Sequence, residues 1–95
     1  MATHLIEIPH SDNKIECNQA IQVFLESGSH LLMNADWGCQ DGVHKAWIMV
    51  DVENKEQALQ IVPPLFRHKA NIVKLIKFTK EKMVESAGHH RSNMV

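Results

Sequence analysis

Apolar residues recur at two different spacings along this chain, and the switches between them mark out its elements. From Thr3 to Ile8 the alternation has the period of a strand, with His4, Ile6 and Ile8 on one face and Leu5 and Glu7 on the other. Aliphatic and β-branched side chains favour that state, and Pro9, which has no amide to donate, stops it. Asn13 with Glu16 three residues later then has the form of a capping box. Cys17, Ala20, Ile21, Phe24 and Leu25 follow at helical spacing, and Gly28 suits the left-handed position past a helix end.

Residues 31–52 read as a hairpin. Asp41-Gly42 between two strand-like runs signals a two-residue type I′ turn, which needs positive φ at both central positions. That turn sets Gln40 against Val43, and therefore Leu31 against Val52, Met33 against Val50, Ala35 against Ile48 and Trp37 against Ala46. All eight are apolar and share one face. The other face carries Leu32 with Asp51, Asn34 with Met49, Asp36 with Trp47, and Gly38 with Lys45. A one-residue slip would scramble this sorting, so the pattern argues for the register. A three-residue Gln40-Asp41-Gly42 loop with a bulge at Gly38 is the alternative.

Asn54 opens a second helix with Gln57 as its box partner, and Ala58, Leu59 and Val62 form its apolar stripe. Pro63-Pro64 ends or kinks it. Leu65-Phe66 is expected to pack on the domain edge, and Ile72 to Phe78 forms the last strand. Thr79 can cap a short C-terminal helix to about Ala87. The expectation is one domain over residues 1–87 and a mobile tail over 88–95. The order β-α-β-β-α-β, with right-handed crossovers, predicts an α+β, ferredoxin-like fold. Its antiparallel sheet runs 4-1-3-2, with two helices on one face.

With that topology, the Asp41-Gly42 hairpin and the segment Val62-Pro63-Pro64-Leu65-Phe66, residues 3–79 resemble the dimeric α+β barrel group, especially its muconolactone-isomerase-like members. Those carry a similar Leu-Pro-Leu-Phe-Pro stretch before the last strand. The resemblance implies a ferredoxin-like fold, a homodimer and a cavity for small organic molecules. It brings no catalytic residue to this chain.

Composition narrows the partners. A net charge of −1 over 95 residues argues against nucleic acid and anionic membranes, whose binding is driven by a dense basic face. Lys69, Lys74, Lys77, Lys80 and Lys82 interleave with apolar residues as a solvated strand face would. Cys17 and Cys39 do not make a disulfide framework. The N-terminal residues lack a signal peptide's apolar stretch, and no run reaches the ~18 residues of a membrane span. A cytoplasmic protein with reduced thiols is expected.

Chemistry is sought where the sheet is uncovered. Trp47 and Met49 are costly to leave wet, and a contiguous apolar patch marks an interface or a ligand groove. Packing two such faces together would hide them, which is the physical reason for expecting a homodimer through the sheet face. The candidate ligand-binding residues are Asn34, Asp36, Lys45, Trp47, Met49 and His4. Asp36, if partly desolvated, is the candidate for proton transfer. A second candidate is the opposed pair Cys39 and His44 at the hairpin tip, able to share a metal ion or to form a reactive thiolate–imidazolium pair, but short of the three or four protein ligands that zinc takes. Neither candidate implies a cofactor.

Three functions remain open. The first is a small-molecule-binding barrel, isomerase-like or monooxygenase-like. The second is a metal-binding protein centred on Cys39 and His44, and the third a dimeric interaction module without chemistry.

Overall fold

The central pairing is between the first strand, β1 (Ala2–Pro9), and β3 (Lys45–Val52), antiparallel over eight residues from Ala2 opposite Val52 to Pro9 opposite Lys45. The computed structural model describes residues 1–81. Most of the expected C-terminal helix, Lys82, and the expected tail from Gly88 to Val95 lie outside the described residues. On its other side β1 pairs antiparallel with β4 (Asn71–Leu75), and β2 (Asp36–Trp37) pairs with the outer side of β3. The chain is therefore α+β, with one four-stranded antiparallel sheet in the order β2-β3-β1-β4; read from the opposite edge, the strands are 4-1-3-2.

Alternation in the two central strands sorts their side chains. His4, Ile6, Ile8, Ala46, Ile48 and Val50 are buried, whereas Met49 and Asp51 are exposed and Leu5, Glu7, Lys45 and Trp47 are half-buried. Helices cover the buried side. The first helix, α1 (Lys14–Glu26), contributes Cys17, Ala20 and Phe24 to it. Its Asn13 cap accepts from the amides of Ile15 and Glu16, as the sequence predicts, and Gly28 beyond its end has φ +77°. Ile21 is only half-buried and Leu25 exposed, so the buried stripe is narrower than the periodicity suggests.

A later helix, α3 (Lys55–Ile61), is capped by Asn54, which accepts from the amide of Gln57 at 2.9 Å. Val62 leaves helical space at ψ 132° because Pro63 follows it. The Arg67 side chain then donates to the carbonyls of Val62 and Gln60, satisfying groups that the broken helix leaves open. Leu65-Phe66 does not pack together on the domain edge: Phe66, in the 3-10 turn between Pro64 and Lys69, reaches the core, while Leu65 stays exposed.

The hairpin differs from expectation in its first arm. Residues His30–Met33 form a short helix, α2, capped by Ser29, whose hydroxyl accepts from the Leu32 amide. The Asn34 side chain donates to the His30 carbonyl at 2.7 Å and closes the same turn. Leu32 is thereby buried against the core instead of facing the open side, and Leu31 and Met33 are exposed. The pairs Leu31–Val52 and Met33–Val50 do not form, and β2 pairs with β3 only at Asp36 and Trp37; Val52 and Val50 pair with Ala2 and His4 of β1, on the opposite side of β3. Local capping by Ser29 and Asn34 wins over a strand pattern that had only alternation to support it.

Where β2 does pair, Asp36 faces Trp47 and Trp37 faces Ala46, the predicted register. The turn is not type I′. Gly42 alone takes positive φ, at +80°, and Cys39–Asp41 form a 3-10 turn whose Gly38 carbonyl accepts from both Asp41 and Val43. β4 ends at Leu75, leaving Ile76 and Phe78 exposed rather than paired.

Phe24 is the hub of the aromatic packing, edge-on to Trp37 at 4.9 Å and to Phe66 at 5.8 Å. Phe24→Ala is expected to cost about 3–5 kcal/mol, read as a lowered midpoint in urea unfolding. A cost near 0.5 kcal/mol, the range of surface substitutions, would refute this account of the core.

Candidate metal centre

Strand register gathers four thiol and imidazole side chains at one end of the sheet. The β1·β3 ladder runs one rung past Pro9 and Lys45, where the His10 amide donates to the His44 carbonyl at 3.0 Å. On the outer side of β3 the Gly38 amide donates to the Lys45 carbonyl, and the 3-10 turn that begins at Cys39 brings its sulfur near His44. His44 is flanked by His10 on one side and Cys39 on the other. Cys17 comes from α1, whose first turn is set by Asn13: the Cys17 amide donates to the Asn13 carbonyl at 2.8 Å. One ligand atom from each of His10, Cys17, Cys39 and His44 lies within 4.8 Å of the other three.

Inside this quartet His10 Nε2 is 3.2 Å from Cys17 Sγ and 3.1 Å from Cys39 Sγ, and the two sulfurs are 3.4 Å apart. Cys17 is buried and the other three are half-buried. The Nδ1 atoms of His10 and His44 are buried and make no hydrogen bond among the described residues. Polar atoms rarely stay buried without a partner unless an ion or water completes the site, which bears on His44; at His10 it is Nε2, not Nδ1, that meets the sulfurs. Trp37 packs edge-on against the His10 ring at 5.5 Å and thus joins the quartet to Phe24 and the core.

Electrostatics suits these groups to ligation. Burial, aided by the nearby His44 and Lys69, pushes the His10 pKa down, so its ring is held neutral with a free lone pair. Burial, followed by the hydrogen bond to Cys17, pushes the Cys39 thiol pKa up. A thiol held protonated does not make a standing thiolate–imidazolium pair with His44, whereas a metal ion can displace its proton.

Gly38 lets the hairpin tip reach this position. A Cβ there would stand 2.7 Å from the Val43 carbonyl oxygen and 2.8 Å from the Trp47 ring. The ring of Trp47 therefore lies directly over a residue that must have no side chain, next to Cys39.

The residues expected to bind an organic ligand separate into three groups. Asn34, Asp36, Trp47 and Met49 do meet, around a cavity of about 380 Å³ on the uncovered sheet face that Leu5 and Leu31 also line. Asp36 is exposed there. Lys45 turns to Glu7, with Nζ 2.7 Å from the carboxylate, and that hydrogen bond holds the Glu7 pKa below its ordinary value. His4 is a correction: it is 1 % exposed on the helix-covered side, with Nδ1 2.9 Å from the Ala2 carbonyl oxygen. Its place in the alternation with Ile6 and Ile8 puts it there.

Cys39 and His44 are brought together, but by the 3-10 turn rather than by the two-residue loop that the sequence predicts. His10 and Cys17 were the missed members. The signal for His10 was available, since pairing β1 with β3 through Ile8 and Ala46 sets His10 beside His44. Cys17 carried only a helical-stripe signal, indistinguishable from core.

No family model, curated protein or solved structure matches this chain.

Gly38→Ala is expected to displace the Trp47 ring and loosen the hairpin tip. The readout is a changed near-ultraviolet circular dichroism band with the far-ultraviolet spectrum retained; an unchanged near-ultraviolet spectrum would overturn the close-approach argument.

Proposed function

We propose that this chain is a small zinc-binding domain, with His10, Cys17, Cys39 and His44 as the four ligands of a tetrahedral structural site. The observation that carries the reading is the convergence of their four ligand atoms within 4.8 Å from separate parts of the sequence. Zinc–sulfur bonds of ~2.3 Å and zinc–nitrogen bonds of ~2.0–2.1 Å put tetrahedral ligand atoms roughly 3.3–3.8 Å apart. The separations of 3.1, 3.2 and 3.4 Å among three of them need only a small outward shift to admit the ion. Two sulfurs and two imidazoles in a tetrahedron favour zinc among the common metals.

Four protein ligands leave no open position for water or substrate, so the role is architectural. The ion would tie the first turn of α1 to the ends of β1, β3 and the hairpin. A core this small gains from such a staple. Structural zinc in finger peptides is worth ~10–16 kcal/mol, about a quarter per ligand, so losing one ligand should weaken binding by on the order of a hundredfold or more. The untagged full chain is expected to take up one equivalent of cobalt(II), with the intense visible absorption of a tetrahedral site and a thiolate charge-transfer band. His10→Ala, Cys17→Ser, Cys39→Ser and His44→Ala should each weaken uptake. Absence of stoichiometric zinc or cobalt uptake overturns the reading.

The cavity beside Trp47 favours a second reading. There a small organic molecule would sit on the uncovered face, enclosed by a second copy in the ferredoxin-like, dimeric α+β barrel arrangement that the sequence suggested. Support comes from the meeting of Asn34, Asp36, Trp47 and Met49 around about 380 Å³, with Met49 63 % exposed. An isomerase-like or monooxygenase-like proton transfer would fall to Asp36. This reading expects the chain to sediment as a dimer at micromolar concentration and Met49→Lys as a monomer. A monomeric parent chain refutes it.

A further inference from the structure

We infer that Cys17 and Cys39 are also a reversible disulfide-forming pair, and that their bridge and a bound ion exclude each other. The exclusion rests on the zinc reading above; the bridge does not. The two sulfurs are 3.4 Å apart, in contact without an intervening group, and a disulfide needs ~2.05 Å. Both cysteines are free thiols. The approach falls to Cys39, which opens the 3-10 turn that Gly42 closes at positive φ, toward Cys17 held in the first turn of α1. Cys39 is the more exposed of the two, so an incoming disulfide meets its sulfur first.

The chemistry is thiol–disulfide exchange with a low-molecular-weight disulfide such as glutathione disulfide. Cys39, as a thiolate, attacks one glutathione sulfur; the glutathione S–S bond breaks and one glutathione thiolate leaves. Cys17, as a thiolate, then attacks Cys39 Sγ, forming the internal bridge and expelling the second glutathione thiolate. Two protein thiolates are oxidised and one glutathione disulfide is reduced to two thiolates. When zinc holds the two protein sulfurs, the ion departs with the two glutathione thiolates as its charge balance. His10 and His44 alone make a two-ligand site, too few for zinc.

The test equilibrates the full-length, untagged chain with glutathione disulfide, once metal-free and once loaded with one equivalent of zinc. Bridging is read by peptide mapping and loss of two hydrogens in mass, and zinc release by a chromophoric indicator. The metal-free chain is expected to form the Cys17–Cys39 bridge and the loaded chain to release one zinc per bridge, with uptake restored by a dithiol reductant. His44→Ala, which keeps both sulfurs, should bridge like the parent, and Cys17→Ser should stop at a mixed disulfide. Mixed glutathione adducts alone, or untouched thiols, in the metal-free chain overturn the bridge. A bridge that forms while zinc stays bound overturns the exclusion. Failure of the initial zinc loading instead overturns the metal reading and the exclusion with it, while the metal-free arm still decides the bridge.

Discussion

Antiparallel pairing of β1 with β3 is the constraint on which the rest of the structure depends. It runs over eight residues, and with a side-chain period of two it decides at once which face of each strand meets the helices. Ile6, Ile8, Ala46, Ile48 and Val50 form the floor on which Phe24, Ala58, Val62 and Phe66 pack. The same register, continued past Pro9, sets His10 against His44. A slip by one residue would turn the core outward and separate the two imidazoles together.

The quartet and the core are one mechanical unit. Trp37 touches His10 on one side and Phe24 on the other, so a force on the ligands passes through two aromatic contacts into the middle of the molecule. Cys17 shares a helix face with Ala20 and Phe24, which binds the orientation of the thiol to the packing of α1. Only Cys39 stands on a turn, and there Gly38 and Gly42 give the backbone the close approach and the left-handed residue that it needs.

How much could be read from the sequence follows from which signals were local. Asn13, Gly28, Asn54 and Pro63 act on their immediate neighbours, and α1 and α3 begin and end where those residues dictate. Alternation in β1 and β3 was long enough to be unambiguous. The arm at residues 31–35 had alternation too, but Ser29 and Asn34 offered the backbone nearer hydrogen-bond partners, and helix α2 formed instead. Asp41 was expected at positive φ, yet a 3-10 turn satisfied the same closure with Gly42 alone in that region. In the site, the nearness of Cys39 and His44 was legible from the hairpin, although the turn that closes it is a 3-10 turn and not the one expected. Cys17 could not be recognised, because a buried cysteine on a helix stripe looks the same whether it packs or ligates, and its partners lie on strands far along the chain.

The brevity of β2 bears on how this molecule meets copies of itself. A sheet edge invites another strand when it offers a long row of unpaired amides and carbonyls. Here one border of the sheet is a two-residue strand, and the other is a five-residue strand bearing Lys74 and followed by Lys77. Neither is a good template for open-ended strand addition. Part of the apolar surface left to the solvent instead lies on the uncovered face, at Met49 and Val73. A contact made there would use side chains and leave the backbone groups of both borders untouched.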